Sequence, residues 1–414
     1  MIAVIGGGAA GMMAAIAAAQ RGADVTLIEQ NKICGKKLLI TGKGRCNITN
    51  ACPTEDIFRN IPTNPRFLYS AVYAFSNYDT VDFFEQSGVP TKVERGERVF
   101  PQSDRAASVA DALVRKMRLL GVTILHGKAD KILTDGERVT GVSAGGKTVA
   151  ANAVILATGG KSYPRTGSDG FGYGIAEKLG HSITKLRPAL VPVETFEDTK
   201  PIMGLSLKNV TLTVTDRSGS KLHSELGELL FTHFGLSGPL VLSASSHMGS
   251  EPEKTILEID LKPALSEQKL EQRILRDFSK YINKDFRNAL SDLLPQRLID
   301  TVIARSEIDP FKKVNSVTRE ERRRLVNVIK RMSFTVRRYR PIEEAIVTSG
   351  GVSVREINPK TMESKIVGGL YFAGEIIDVD AYTGGFNLQI AFSTGHLAGE
   401  SAAEGELEND KNSD

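Results

Sequence analysis

Three glycines and one carboxylate carry the first recognisable chemistry in this chain. Gly6, Gly8 and Gly11 stand in GxGxxG spacing within MIAVIGGGAAG, and Glu29 follows eighteen residues after the last of them. Each glycine has a separate task in a turn that receives a pyrophosphate. Gly6 permits the tight turn, Gly8 lets the backbone approach the phosphates, and Gly11 lets helix and strand pack closely. The phosphates sit at a helix N-terminus, where free N–H groups and the helix dipole favour an anion. Glu29, with Gln30 beside it, lies where an acidic side chain accepts hydrogen bonds from an adenosine ribose. GxGxxG alone is weak. Here a buried strand (Ile2 to Ile5), an Ala-rich helix (Met12 to Gln20) and a second strand (Asp24 to Ile28) supply its context.

Three further segments can contribute to the same ligand. GKKLLITGKGRCNITN, from Gly35 to Asn50, combines Lys36, Lys37, Lys43 and Arg45 with bare backbone at Gly42 and Gly44 and the amide of Asn47. A segment so short, basic and glycine-rich makes no core but can wrap a phosphate-bearing ligand. In AVILATGG a buried strand ends at Thr158, Gly159 and Gly160, so its turn can lie against a ligand. In GGLYFAGEIIDVDAYTGGFNLQIAFSTG a strand runs to Gly374, followed by Glu375 and Asp378. The Gly384–Gly385 turn then opens a helix at Phe386 or Asn387, whose N-terminus can face a polar edge of the same ligand.

Other reactive side chains are weaker candidates. Cys46 lies inside the GRCN turn without a resolving cysteine at CxxC spacing, so it reads as structural. His181, His223, His233, His247 and His396 show no metal-ligand spacing, and no metal is expected. His233, in FTHFGLSGP, is a candidate polar group facing substrate. A turn in which Ser237 caps a helix and Pro239 takes its first position explains that motif without chemistry. Tyr163, in KSYPRTGSDGFGYG, is a candidate proton donor, and a glycine-rich strand-to-helix connection accounts equally well for its surroundings. Arg319 to Arg340 carries nine basic residues, which read first as a solvated helix face and alternatively as an anion or RNA site.

The elements that must hold these residues follow from periodicity. Up to about residue 188, short apolar strands alternate with helical stretches, as in a doubly wound sheet. HGKADKILTDGERVTGVSAGGKTVAA is a small β-meander. Residues 189–264 turn β-rich, with LKNVTLTVTDRSGSKLH folding about an SG turn, and 333–340 return as a strand. Residues 265–332 are helical. Residues 341–414 resume short strands and end in a helix from about Phe386 to Glu400, followed by a polar, frayed tail. The economical organisation is one nucleotide-binding domain, 1–188 plus 341–414, with a β-rich insert (189–264 plus 333–340) that carries a helical subdomain (265–332).

Composition bounds the rest. A formal net charge of +4 is too small to imply nucleic acid as the main partner. No run of eighteen apolar residues exists, and the N-terminus reads as a strand and not a signal peptide. Three cysteines without CxxC spacing suit a reducing cytoplasm, with neither disulfide nor zinc.

Taken together, GGGAAG, TGKGRCNITN, ATGGKSYPRTGSDGFGYGIAEKLGH, FTHFGLSGP and YFAGEIIDVDAYTGGFNLQIAFSTG make the whole chain resemble the YhiN-like flavoproteins. That family includes the BaiN-type bile-acid reductases and the aminoacetone-oxidase-like enzymes; GRCN and GGFN are its specific motifs. The resemblance implies non-covalent FAD on a glutathione-reductase-like Rossmann fold with a β-barrel-like insert carrying a helical subdomain. By the same resemblance, Glu29 holds the adenosine ribose, and Ala10 and Lys37 with Arg45 and Asn47 line the phosphates and the flavin side. Ala129, following a His126–Lys128 strand, contacts adenine through its backbone, and Thr158 and Gly159 border the cofactor. Asp378, Gly385, Asn387 and Leu388 reach the ribityl chain and isoalloxazine. With no second complete GxGxxG, NAD(P)H is expected to visit the flavin transiently. The leading expectation is reduction of a conjugated C=C bond in a hydrophobic 3-oxo substrate resembling a bile acid or steroid. The alternatives are an O₂-using amine oxidase that makes peroxide and, in another class, a flavin-containing RNA-binding protein.

Overall fold

A computed structural model describes the backbone of residues 1–411 and the side chains of residues 1–405; residues 412–414 lie outside the described residues. The chain forms two compact units, Met1–Ala189 with Ile342–Asp414, and Leu190–Pro341.

The first unit is built on a five-stranded parallel sheet in the order Leu370–Phe372, Ala153–Leu156, Ile2–Ile5 (β1), Val25–Glu29 (β2), Thr123–His126. Two of its inner strands, β1 and Ala153–Leu156, are unbroken apolar runs because both faces are covered, and every residue of both is buried. Helix α1 (Ala9–Gln20) is apolar nearly all round and buried from Ala10 to Ala18, as befits a helix inside a core. The Phe386–Lys411 helix crosses it at small residues: a Cβ on Gly395 or Gly399 would fall inside van der Waals range of the Ala10 or Ala14 carbonyl oxygen. The expected meander is present as strands Ala129–Thr134, Val139–Ala144 and Lys147–Ala150.

The second unit is a closed barrel in the order Val193–Thr195, Gly235–Ser237, Lys221–Phe231, Ser206–Asp216, Thr255–Asp260, Met332–Tyr339. The alternation read around the SG turn is this barrel's long hairpin, with Val210, Leu212 and Val214 turned inward. The helices Glu267–Lys280, Gln296–Ser306 and Arg319–Lys330 share one hydrophobic core with the barrel, joining Leu270, Ile274, Val302 and Ile329 to Leu257 and Phe334. Thr318 and Glu321 start the last of these helices with reciprocal capping bonds.

Three local expectations need correction. The C-terminal helix does not stop near Glu400 and fray; its turns continue through Lys411. Ser237 does not cap a helix, because it closes the strand Gly235–Ser237 and the N-cap is Gly238 at φ +90, with Pro239 in the first turn. Ala129 does not follow a His126–Lys128 strand. The parallel strand ends at His126, and Ala129 opens the meander.

Candidate functional site

The nucleotide turn has the anatomy that its spacing predicts. Gly6 adopts φ +105, and a Cβ there would fall 2.5 Å from the Ala157 carbonyl oxygen. A Cβ on Gly11 would overlap the Gly6 carbonyl oxygen, so this glycine sets the closeness of helix to strand. Gly8 differs from both: its Cβ would meet nothing within 4 Å. The open face adjoins the N-terminus of α1, which has no side-chain cap and no acidic residue in its first turn. Unpaired N–H groups with a positive dipole end are thereby presented to the space over Gly8.

Glu29 ends β2 and is buried. Its carboxylate accepts from the Gly7 N–H at 2.6 Å, and from the Asn31 N–H and Nδ2 at 2.6 and 2.7 Å. Asn31 was not legible as a site residue; its only signal is its place two residues after Glu29. The loop after ATGG folds onto this corner, since Asn31 Nδ2 also donates to the Thr166 carbonyl and Gln30 Nε2 to that of Gly167. Ala129 is brought to the same neighbourhood, two residues after Gly127, whose N–H donates to the Glu29 carbonyl at 2.9 Å.

The GRCN and GGFN segments meet. Gly385, at φ +101, approaches the Thr49 backbone so closely that a Cβ would overlap it. Asn50 Nδ2 donates to the Gly384 carbonyl at 3.0 Å, and Thr49 Oγ1 donates to Gln389 Oε1 at 2.6 Å. Ala10 packs under Gly374, whose N–H donates to Thr394 Oγ1. Gly42 lies at φ +55 against the Asn47 N–H. Gly159, at φ +72, leaves room only for the Ser168 hydroxyl. Asn64 donates to the Asp378 carbonyl at 2.7 Å, and burial raises the Asp378 carboxyl above its ordinary pKa.

Several expected ligands are engaged within the protein. Lys37 Nζ pairs with Glu375 at 2.7 Å and donates to Ser162 Oγ at 2.7 Å. Glu375 in turn accepts from Ser162 and from the Thr348 N–H, tying four segments together. Arg45 does not stand as a free cation: its guanidinium is clamped by Glu94 and Asp104 and lies 4.3 Å over the Phe100 ring. Asn387 folds back on its own turn, exchanging hydrogen bonds with Ala381, and Leu388 follows it in the first turn of the helix. Tyr163 sits at φ +52, and burial first, then Glu344, raises its phenol above the ordinary value. His233 is exposed on the barrel, edge-on to Phe234. Cys46 is fully buried and its thiol is pushed up to about 12, an inert group. In the basic run, Arg338 and Arg340 grip Glu194, Lys330 pairs with Asp260, and Arg331 pairs with Glu267.

Asn47 Oδ1 and Thr158 Oγ1 are two of the seven buried side-chain polar atoms among the described residues that have no hydrogen-bond partner in the protein. Buried groups of this kind normally have one, so each has capacity for a ligand. Both lie on segments that the sequence assigns to the nucleotide ligand.

The HI0933-like protein Rossmann domain matches residues 1–401. The chain belongs to the HI0933-like Rossmann family. This HI0933-like chain is 32% identical over 409 residues to the 3-dehydro-bile acid delta(4,6)-reductase of Clostridium scindens, covering 97% of the chain and 99% of that protein. It is also 32% identical over 399 residues to the ribosomal RNA dihydrouridine synthase of Escherichia coli, covering 94% and 95%. Among solved structures, the 3-ketosteroid delta1-dehydrogenase of Sterolibacterium denitrificans superposes with a TM-score of 0.50 at 12% identity, over 98% of this chain and 99% of that one. That likeness is one of fold. The HI0933-like chain is an FAD-dependent oxidoreductase, and its open Gly8 face, uncapped α1 and orphaned Asn47 and Thr158 atoms fit FAD. Among the described residues no helix is long and apolar enough to cross a membrane, and no cluster could hold a metal ion.

Proposed function

We propose that this chain reduces a carbon–carbon double bond conjugated to a carbonyl, drawing its electrons from NAD(P)H. One observation carries the reading. Two relatives at equal identity, each aligned over nearly the whole chain, are named for different substrates but a common bond change. A 3-dehydro delta(4,6) bile acid has its double bonds in conjugation with the C3 ketone. Dihydrouridine is uridine whose ring C=C, conjugated to a ring carbonyl, has gained two hydrogens. FAD, when bound, supplies the hydride chemistry.

The protein's share is positioning and protons. Glu29 holds the ribose hydroxyls, with Gln30 and the Ala129 backbone at the adenine end. Gly6, Gly8, Ala10 and Gly11 present the α1 N-terminus to the phosphates. Asn47, Thr158 and Gly159 give polar contacts along the cofactor, and Lys37 supports that side through Glu375. Gly374, Asp378, Gly385, Asn387 and Leu388 bring the second helix N-terminus to the ring end. Arg45 acts by fixing the shape of the Gly42–Asn47 turn. Tyr163, kept protonated by burial, is the first proton donor to test, and His233 the second.

The leading substrate is a hydrophobic 3-oxo compound of steroid or bile-acid type. The second reading, a uracil within RNA, is favoured by a row of four cations on the Glu267–Lys280 helix, two of which, Lys269 and Arg276, have no carboxylate partner among the described residues. An anaerobic NAD(P)H titration followed by visible absorbance tests the reductive half. Reoxidation of the bleached enzyme by a 3-oxo-4-ene steroid, by uridine-containing RNA or by O₂ with amine then separates the substrates. Failure of both nicotinamides to bleach the flavin, or of every conjugated carbonyl to restore it, refutes the proposal.

A further inference from the structure

We infer that the cleft beside the Glu267–Lys280 helix is a docking surface for the phosphate backbone of RNA. The inference rests on the uracil reading and deepens it. Lys269, Arg273, Arg276 and Lys280 recur at i, i+4, i+7 and i+11, so they form one narrow stripe, while Leu270, Ile274 and Phe278 on another face enter the core. At 1.5 Å per residue the row is about 16 Å long, over which one nucleic-acid strand presents about five phosphates. Leu265, Lys269, Gln272, Arg273 and Arg276 line a cleft of about 540 Å³.

The charges in this cleft are under-compensated. Arg273 pairs with Asp277 at 2.8 Å and Lys280 with Asp292 at 2.8 Å. Among the described residues, the Lys269 ammonium and the Arg276 guanidinium have no carboxylate partner. Lys262, partly buried nearby, has its ammonium pushed below its ordinary pKa, first by burial and then by the Arg273 charge. What sets the row apart from the Arg319–Arg340 run is that it lines a cleft and follows one straight stripe of a single helix, whereas that run is divided between the Arg319–Lys330 helix and the Met332–Tyr339 strand. A concave row of cations with an amide suits a strand that can lie in it; a flat bilayer would meet only its rim. Arginine and lysine there would hold phosphates without reading sequence, leaving base selection to the catalytic site.

The test uses the FAD-loaded full chain and an unmodified ribosomal RNA transcript, with binding measured from about 50 to 200 mM salt. Charge reversal at K269E/R276E alters two exposed side chains, and K208E on the barrel is the control for a charge reversal away from the row. Binding by K269E/R276E weakened about tenfold or more at low salt, with the log–log salt slope shallower by about 1.4 for a single strand, is the expected result. K208E should bind as wild type, and all three proteins should show the same flavin spectrum. Equal RNA binding by wild type and K269E/R276E overturns the docking surface while leaving the uracil reading intact. Retention of wild type by phosphatidylserine vesicles but not by RNA overturns it in favour of a membrane. No RNA binding by wild type at any salt overturns both.

Discussion

Gly8→Ala and Gly11→Ala put the same methyl group on the same turn and should fail in opposite ways. At Gly8 the backbone lies at φ −80, ψ −173, which alanine adopts freely, and the new Cβ meets nothing within 4 Å. Alanine is a poorer N-cap than glycine, costing up to about 1 kcal/mol, but it lowers unfolded-state entropy by about 0.4–1 kcal/mol. The FAD-free protein should therefore hold its stability to within about 0.5 kcal/mol. The methyl occupies the space through which the α1 N–H groups face a pyrophosphate. Losing one charge-assisted hydrogen bond, about 1.5–3 kcal/mol, weakens FAD binding roughly 10- to 150-fold. At Gly11 the methyl overlaps the Gly6 carbonyl oxygen, so α1 must move off β1, and overpacking of this kind costs about 3 kcal/mol. Thermal melts of FAD-free protein and fluorescence titration with FAD read the two effects separately. Wild-type FAD affinity in Gly8→Ala would refute the placement of the phosphates, whatever the melt shows. A Gly11→Ala protein as stable as wild type would refute the packing argument.

Four further outcomes follow from the same geometry. Thr158→Val removes a buried hydroxyl that has no partner in the protein, so FAD-free stability should stay level or rise while FAD affinity drops about two- to tenfold; a fall in FAD-free stability refutes the assignment. Glu375→Gln strands the Lys37 ammonium in a partly buried site and should cost about 2–3 kcal/mol, read as a lower urea midpoint, with Lys37→Met/Glu375→Gln recovering part of the loss. Tyr163→Phe should lower turnover with the conjugated substrate at unchanged flavin reduction by NAD(P)H; equal loss in both half-reactions argues against a proton-donor role. His247, stacked 4.0 Å from His223, is depressed to about 4 by burial and then by that neighbour. The unfolded chain takes up its proton first as pH falls. Its stability contribution is therefore complete above about 6.5 and is lost on descent toward 4, and His247→Gln should flatten the Tm-versus-pH curve in that window.

What was legible in the sequence was set within a few residues, and what was not was set across hundreds. The βαβ unit declares itself because its strand pattern, glycine spacing and terminal carboxylate lie within 29 residues, and each constrains the next. The barrel hairpin was readable for the same reason, alternation on both sides of one turn. The charge of Lys37 and Arg45 is visible in the chain, but their partners are not. Glu375 stands 338 residues from Lys37, and Glu94 stands 49 from Arg45. Ser237 looked like a cap from composition, yet barrel pairing with Leu230 claimed it for a strand and passed the cap to a glycine at positive φ. The Gly384–Gly385 pair shows both sides at once. Its glycines announce a turn, but the reason no other residue fits at 385 is the Thr49 backbone, 336 positions away, which joins the GRCN and GGFN motifs. That junction explains why the two motifs identify the family better than the nucleotide turn does. GxGxxG needs only its own strand and helix, whereas GRCN and GGFN must be shaped for each other, so finding both in one chain predicts a contact as well as a ligand.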